Sequence, residues 1–287
     1  MSRLLAGAKQ MMGLHHPGRS LEVYPDDVFL VSFPKSGNTW TRFLIGNLIS
    51  PSERADFSNI NRLIPDPEAM SKRGLSQAKR PRILKSHQYF DPRYPKVIYI
   101  VRDPRDVALS QYHFQRKRRV IEDGYPIEKF VTRFVAGETS IYGSWGENAA
   151  SWLSTRYGRS EFLLLRYEDM LANTVRELGK IASFLNQSAT AQLLEEAVAR
   201  SAADQMRKLE KDQAMLWSST KGTRQDVAFV REARAGGWKN DLPADSVVEI
   251  ESAWGPLLKW LRYELSQPEK AGKAHVGSPE FAGVAAL

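Results

Sequence analysis

The sequence predicts an α/β fold: a single three-layer domain in which a central parallel β-sheet is flanked by helices. Four segments are predicted as strands, at 28–33, 82–85, 96–102 and 161–166. Those at 28–33 and 96–102 are apolar almost throughout, which is typical of strands buried on both faces of a parallel sheet. At 287 residues and 42% apolar composition, the chain is long enough for one large domain and needs no second core.

The composition suggests anionic partners and excludes several kinds of site. The net charge is +8 at pH 7 and the pI is about 9.6, a balance typical of proteins that bind nucleic acid, acidic lipid or a small polyanion. The chain has no cysteine, which excludes disulfides, thiolate metal sites and a cysteine nucleophile. No apolar run approaches the roughly 20 residues that cross a bilayer, and no signal-peptide core is visible. The expected location is therefore cytoplasmic.

The two ends of the chain are predicted to lie outside the main domain, which we place at 21–265. Residues 1–20 are basic and mildly amphipathic. A peripheral membrane contact is one interpretation of this segment, although short helices of this kind more often pack on their own domain. Residues 266–287 are expected to be disordered.

The turn after the first strand is a candidate anion site. Pro34-Lys-Ser-Gly37 joins the strand at 28–33 to a helix that begins at Asn38. The start of a helix carries unpaired N–H groups and a partial positive charge, and a nearby lysine and hydroxyls complete a site for a phosphate-like group. The ATP- and GTP-binding loop G-x-x-x-x-G-K-[ST] has its lysine after the last glycine. Lys35 precedes Gly37, so this turn is of another type.

The next strand leads to a histidine. A long polar connection with short helical pieces, at 51–80, comes first and is predicted to shape substrate access. The strand at 82–85 follows, and Ser86-His87-Gln88 stands at its end. Reactive groups of open parallel sheets gather outside the carboxyl ends of the strands. A lone histidine is more often structural, so it is the position of His87 that makes it a candidate for catalysis.

The strand at 96–102 leads into a helix predicted at 107–119. Asp103 suits the N-cap position before this helix. Arg102 at the strand tip offers a fixed fork of donors for a phosphate, and Ser110 offers a hydroxyl in the first helical turns. The basic run 116–119 is interpreted as a solvated helix end.

The rest of the chain is predicted to be helical apart from one loop and the strand at 161–166. Helical spacing of apolar residues predicts helices at 127–136, 145–157, 167–185, 190–211 and 246–265. Residues 212–237 are basic and contain glycines, and we interpret them as a mobile loop suited to fold over a bound anion.

Five motifs stand in one order over roughly residues 20–265. They are Phe33-Pro-Lys-Ser-Gly-Asn-Thr-Trp40, Lys85-Ser-His87, Val101-Arg-Asp-Pro-Arg-Asp-Val107 with Ser110, Tyr167-Glu-Asp-Met170 and Gly236-Gly-Trp-Lys-Asn240. Together they resemble the motifs of the cytosolic-type sulfotransferases that depend on 3′-phosphoadenosine 5′-phosphosulfate (PAPS). The resemblance implies a P-loop-like fold. It also implies transfer of a sulfuryl group to a hydroxyl or amine of a small or lipid-like acceptor. The product is 3′-phosphoadenosine 5′-phosphate (PAP), and no metal is required.

The resemblance assigns residues to the cofactor. The 5′-phosphosulfate would be held by Lys35, Ser36, Gly37, Asn38 and Thr39. Trp40 would stack on the adenine, and Arg102 and Ser110 would hold the 3′-phosphate. Further nucleotide contacts are implied for Tyr167, Ser201, Arg231 and Ala233.

The chain departs from the family's pattern at some of these positions. Glu232 and Ala233 follow Arg231 where lysine and glycine are usual, and Ala203 stands where many members place an aromatic residue against the adenine. A weaker affinity for the cofactor is one expected consequence. The segment with which many relatives dimerise is not recognisable at 240–248, so the sequence leaves the oligomeric state open.

The resemblance also implies a mechanism. His87 would take the proton of the acceptor hydroxyl as general base. Lys35 would protonate or screen the bridging oxygen as the product leaves, and Ser110 would restrain Lys35 until the acceptor binds.

The acceptor is predicted to meet an aromatic surface. The candidate acceptor-binding residues are Tyr89, Phe90, Tyr112 and Phe114. Such a lining favours a phenol, alcohol, amine or lipid-linked sugar over a long polyanionic glycan.

Two other functions remain as alternatives. A P-loop nucleotide kinase or NTPase would need Gly-Lys-Ser/Thr order and an acidic magnesium ligand at a neighbouring strand end, where this chain has Arg102. A non-enzymatic binder of nucleic acid or acidic membrane is suggested by the charge of +8. The cations are scattered or placed at strand ends, however, and no recognition helix or RNA-binding sheet motif appears.

Overall fold

Four parallel strands form one sheet in the computed structural model, which describes residues 21–266 apart from 218 and 232. The strands are β1 (Val28–Ser32), β2 (Ile83–Ser86), β3 (Lys96–Val101) and β4 (Phe162–Arg166). Their spatial order is β2-β1-β3-β4, with every neighbouring pair parallel. The predicted α/β fold with a central parallel sheet is therefore confirmed.

Strand β1 is central, and its register aligns the strand ends. All five of its residues are buried, as expected of an apolar run between two partners. Val31 is paired with Ser86 on β2, and Ser32 with Ile100 on β3. The chain therefore leaves β1, β2 and β3 at one edge of the sheet, which is where ligands of open α/β sheets bind.

Helices cover both faces of the sheet. They are α1 (Asn38–Ile49), α2 (Ile60–Leu63), α3 (Lys72–Ser76), α4 (Pro104–Lys117), α5 (Ile127–Val135), α6 (Trp145–Arg156), α7 (Tyr167–Ala172), α8 (Thr174–Phe184), α9 (Ala191–Arg200), α10 (Ala203–Gln213), α11 (Trp238–Asp241) and α12 (Ala244–Trp260). Successive residues of a strand point to opposite faces. Phe29 and Val31 accordingly join one hydrophobic cluster, and Val28 and Leu30 join a second. One cluster lies on each face of the sheet, between the sheet and the helices that cover that face, so the domain has three layers.

Two predicted helices are wrong in extent because each is interrupted. The segment 167–185 breaks at Asn173, whose side-chain oxygen accepts a hydrogen bond from the N–H of Arg176, 3.0 Å away, and so starts a new helix. The segment 190–211 breaks at Ser201 and Ala202. There the extended backbone of Ala202, with ψ at 149°, begins α10.

The last helix also differs from its prediction. Helix α12 ends at Trp260 rather than at 265, and it contains Pro256 and a non-helical Trp254. Proline removes a main-chain donor and crowds the preceding turn, which accounts for a kink at this point.

Several predictions lie outside the described residues. These are the basic segment 1–20, the tail at 266–287 beyond its first residue, and the departure at Glu232. Among the residues that the structure describes, no helix is both long and apolar enough to span a bilayer.

Candidate active site

The turn between β1 and α1 lies at the carboxyl edge of the sheet and needs a glycine for two reasons. Gly37 has φ at +99°, a left-handed conformation that L side chains rarely adopt. A Cβ atom on Gly37 would also lie 2.6 Å from Cδ2 of Tyr167. The glycine therefore lets the turn approach Tyr167 closely, which brings two predicted cofactor residues together.

Buried polar atoms without partners mark this turn as a ligand site. Ser36 is fully buried, and within the described part of the chain its Oγ has no hydrogen-bond partner. Within the same described residues, Nε of Arg102 and Oδ1 of Asn38 are also buried atoms without a hydrogen-bond partner. Such orphaned groups are costly in a folded protein. A serine hydroxyl and a guanidinium N–H are donors, so they fit an anionic group of a bound nucleotide.

The ammonium group of Lys35 lies between two aromatic rings. Its Nζ is 4.3 Å from the ring centroid of Phe114 and 4.1 Å from that of Phe229. Burial lowers the pKa of Lys35 to about 7, and the positive charges of Arg102 and Arg231 act in the same direction. The site therefore holds excess positive charge that a polyanion would relieve.

Arg102 connects the turn to the basic loop near residue 234. Its Nη1 donates to the carbonyl oxygen of Lys35 at 3.3 Å, and its Nη2 donates to that of Arg234 at 3.0 Å. Its guanidinium stacks over the ring of Tyr167, 4.3 Å from the centroid. Predicted cofactor residues from β1, β3 and β4 thus meet around Arg102.

Asp106 fixes the same loop from the start of α4. Its two carboxylate oxygens accept hydrogen bonds from the N–H groups of Gly236, at 2.7 Å, and Trp238, at 3.1 Å. The sequence assigns the N-cap of this helix to Asp103 and indicates no role in the site for Asp106. The two glycines before Trp238 could have indicated that another group approaches the main chain closely at this point.

The predicted adenine residue Trp40 is linked to Ser201. Nε1 of Trp40 donates to the carbonyl oxygen of Ser201 at 3.0 Å, and its ring meets that of Tyr167 edge to face at 5.8 Å. The hydroxyl of Ser201 accepts from Nδ2 of Asn47 at 3.0 Å. Three of the predicted nucleotide contacts therefore adjoin one another.

His87 is placed at the end of β2 as predicted, and one of its ring nitrogens is held by β1. Nδ1 lies 2.6 Å from the carbonyl oxygen of Ser32. Since a carbonyl only accepts, Nδ1 carries the proton and Nε2 of the neutral ring is free to take one. Burial, then the charge of Lys85, lowers the pKa of His87 to about 3, whereas the Ser32 hydrogen bond and Asp66 raise it.

Tyr142 is a neighbour of His87 that the sequence analysis missed. The centroid of its ring lies 5.5 Å from that of the imidazole.

The four predicted acceptor-binding residues have different surroundings. Phe114 packs on Lys35, and Tyr89 donates to Glu147 at 3.3 Å. Tyr112 is buried, with its hydroxyl donating to the carbonyl of Tyr125 at 2.7 Å. Phe90 packs edge to face on Trp152 of the core. Their binding roles stay predictions.

The remaining predicted site residues lie near the turn or on the basic loop. Ser110 is half-buried on α4, and its predicted restraint of Lys35 stays a prediction. Thr39 is half-buried in the first turn of α1. The carbonyl of Arg231 accepts from Arg207, and Ala233 has φ at 50°, the left-handed conformation for which the family's glycine is suited.

A family model described as "Sulfotransferase domain" matches residues 25–262 of the chain. The chain belongs to the sulfotransferase family. Among curated proteins, sulfotransferase 1A1 of Bos taurus is 30% identical over 241 residues, which are 78% of this chain and 80% of the relative. Sulfotransferase 1B1 of Canis lupus familiaris is 28% identical over 236 residues, or 75% of this chain and 78% of the relative.

Solved structures show the same fold. Mouse sulfotransferase SULT7A1 complexed with PAP has a TM-score of 0.67 at 22% identity, over 90% of this chain and 89% of that one. Retinol dehydratase in complex with androsterone and the inactive cofactor PAP has a TM-score of 0.65 at 19% identity, over 86% of this chain and 84% of that one.

The predicted family, enzyme class and cofactor are confirmed. The protein is a PAPS-dependent sulfotransferase with a single α/β domain. The two alternative functions are therefore wrong: the protein is neither a P-loop nucleotide kinase or NTPase nor a non-enzymatic binder of nucleic acid or membrane. The physical reason against the kinase is visible at the end of β3. There Asp103 caps α4 and pairs with Arg105 at 2.6 Å, so it is engaged within the protein.

Proposed function

We propose that this sulfotransferase moves the sulfuryl group of PAPS in line to a hydroxyl or amine of a small, apolar or lipid-like acceptor, with His87 as general base. The observation that carries this proposal is the 2.6 Å contact between Nδ1 of His87 and the carbonyl oxygen of Ser32. It directs the free Nε2 away from β1, on the side from which an acceptor would approach.

His87 would act as the base in its neutral form. Its pKa, lowered to about 3 by burial, keeps the imidazole neutral over the physiological range. As the ring takes the acceptor proton, the hydrogen bond to Ser32 and the charge of Asp66 would stabilise the imidazolium, since both favour the charged form. A positioned general base contributes roughly 10² to 10⁴ in rate.

The turn and the neighbouring cations would hold the nucleotide. When bound, PAPS supplies the sulfuryl group and a bisphosphate that leaves with negative charge. Donors at Ser36 and the start of α1 would bind the 5′ end, and Arg102, Ser110 and Arg231 the 3′-phosphate. Lys35 would move from between its aromatic rings towards the bridging oxygen and donate a proton or screen the charge there.

The surroundings of His87 and Lys35 support an aromatic or otherwise apolar acceptor. Phe114 lies against Lys35 and Tyr142 against His87. These rings lie beside the proposed base and beside the lysine of the cofactor turn. A phenol or a hydrophobic alcohol fits such a lining.

Incubation of the protein with labelled PAPS and a panel of phenols, alcohols, amines and anionic glycans tests the proposal. We expect transfer to apolar hydroxyl compounds, loss of transfer in His87→Ala, and unchanged affinity of that variant for PAP. Near-normal turnover by His87→Ala would show that another group is the base. Preference for a polyanionic glycan would overturn the proposed acceptor class.

A further inference from the structure

Charged side chains of two helices bind the main chain of the loop that follows α10. Between 214 and 231 the described residues form neither helix nor strand. Glu210 on α10 is buried, and its carboxylate oxygens accept from the N–H groups of Phe229, at 2.6 Å, and Val230, at 2.8 Å. The last turn of α10 therefore fixes two consecutive amides of the loop.

Arg207, one helical turn earlier, binds the next residue. Its Nε and Nη2 donate to the carbonyl oxygen of Arg231 at 3.1 and 2.8 Å. With Glu210, it holds three successive residues of the loop by their main-chain atoms. Among these three residues, Phe229 places its ring against Lys35, and Arg231 brings a positive charge near it.

Lys117 at the end of α4 binds the loop from the other side. Its side chain is 1% exposed and lies 3.4 Å from Glu210. Its Nζ donates to the carbonyl oxygens of Arg224, at 2.8 Å, and Val227, at 2.5 Å. The interpretation of 116–119 as a solvated helix end is therefore wrong for Lys117, because this lysine satisfies buried main-chain acceptors.

We propose that Lys117, Arg207 and Glu210 are positioning residues for sulfuryl transfer. They form a clamp that sets Phe229 over the ammonium group of Lys35 and places Arg231 beside the cofactor turn. The hydrogen bonds of these three residues to the loop reach main-chain atoms and not Lys35, so the clamp positions the site through the loop. The charges of Glu210 and Lys117 also act on the pKa of Lys35, in opposite directions, whereas Arg207 acts through the loop alone. This inference rests on the proposed role of Lys35 and extends it to three residues outside every sequence motif.

Burial of a charged group is costly unless its hydrogen bonds are made. Each clamp residue binds main-chain atoms that have no partner in a helix or strand, so removing one leaves loop groups unsatisfied. The conformation of the loop at 224–231 therefore depends on these side chains, and the place of Phe229 depends on that conformation.

Hydrogen exchange and PAP calorimetry on Glu210→Gln test the clamp, with Glu195→Gln as control because Glu195 is exposed on α9. An amide side chain accepts through one oxygen only. We expect the Phe229 and Val230 amides to exchange faster, and the KM for PAPS to rise about tenfold, the effect of one charge-assisted hydrogen bond. The control should match the parent in both measurements. Faster exchange with unchanged PAP affinity and unchanged KM would overturn the positioning role.

Arg207→Gln is a second variant in case Glu210→Gln does not fold, since the Arg207 side chain is 40% exposed. Its control is Arg159→Gln, at an exposed position just before the amino end of β4, whereas the site lies at the carboxyl ends of the strands. We expect faster exchange around Arg231 and weaker PAP binding in a protein that still unfolds cooperatively on heating. Unchanged PAP binding in this folded variant would refute the clamp. The hydrogen-exchange and PAP-binding measurements need no acceptor and no base, so they can fail or succeed independently of His87.

Discussion

The Nδ1 atom of His87 lies 2.6 Å from the main-chain carbonyl oxygen of Ser32. This contact follows from the register of the sheet, because Val31 on β1 is paired with Ser86 on β2. Strand β1 ends one residue later, at Ser32, whereas β2 ends at Ser86 itself. The last carbonyl of β1 therefore faces His87, the first side chain beyond β2. The pairing of two strands thus selects the tautomer of the proposed base.

Replacement of His87 by alanine should abolish catalysis and leave the nucleotide site intact. We expect kcat to fall by about 10² to 10⁴, the usual contribution of a general base. The Kd for PAP, measured by calorimetry, should stay within about twofold because His87 touches β1 rather than the cofactor turn. A large loss of PAP affinity would place His87 in cofactor binding instead.

Affinity for PAP should fall as pH rises through neutrality. In the free protein burial lowers the pKa of Lys35 to about 7, and a bound anion favours the ammonium form, which raises this pKa in the complex. Binding then takes up a proton above pH 7. We expect a plateau of affinity below about pH 6 and a decrease approaching tenfold per pH unit above 7. Calorimetry in two buffers of different ionisation enthalpy measures the proton uptake.

Lys35→Met separates this effect from the titration of the nucleotide itself. A phosphate monoester has its second pKa near 6, so some pH dependence belongs to PAP. The other charged groups around Lys35 are Arg102, Arg231, Glu210 and Lys117, and the variant retains all of them. We expect the variant to show the dependence of PAP alone. An identical pH profile in variant and parent would exclude Lys35 as the source.

The sheet and the outline of the site could be predicted because their signals are local. An apolar run between Asp27 and Pro34 is typical of a strand buried on both faces, and Asp103 is a favourable N-cap for the helix that became α4. The strand ends carry Lys35 and Arg102, whose types already indicate an anion. Such features depend on residues that are close in sequence, so they can be recognised from one sequence without knowledge of the fold.

The loop after α10 could not be predicted because its contacts are distant in sequence. Lys117 binds a carbonyl 107 residues away, at Arg224. In the sequence Lys117 stands among other cations, where a solvated face is the common outcome. Glu210 likewise occupies an ordinary helical position. Only the fold shows that both are buried against the loop.

Alanine at Gly37 should be far more harmful than alanine at another left-handed glycine. Gly158 has φ at +79°, and a Cβ atom there would meet nothing within 4 Å, whereas at Gly37, with φ at +99°, the Cβ would lie 2.6 Å from Tyr167. Both substitutions should cost about 1 kcal/mol for backbone strain. Gly37→Ala should cost roughly a further 1–3 kcal/mol from overpacking and should weaken PAP binding. Urea unfolding and calorimetry of both variants measure the difference, and equal losses would remove the contact as its cause.

Arg102→Ala should mainly weaken binding of the nucleotide. Its guanidinium donates to the carbonyl oxygens of Lys35 and Arg234, and its Nε has no partner within the described residues. A 3′-phosphate would supply that partner. We expect the Kd for PAP to rise by about tenfold to a hundredfold, the effect of a charged hydrogen bond, with a smaller change in kcat.

Arg102→Lys distinguishes the fork of donors from the charge. Lysine keeps the positive charge but cannot hold two carbonyls and a phosphate oxygen in fixed directions. If geometry matters, this variant should resemble Arg102→Ala in PAP affinity. The Arg102→Lys variant should also bind adenosine 5′-phosphosulfate as well as the parent does, because this compound lacks the 3′-phosphate. Recovery of parental PAP affinity by lysine would mean that charge alone suffices. Equal PAP affinity in the parent and Arg102→Ala would remove Arg102 from the 3′-phosphate site.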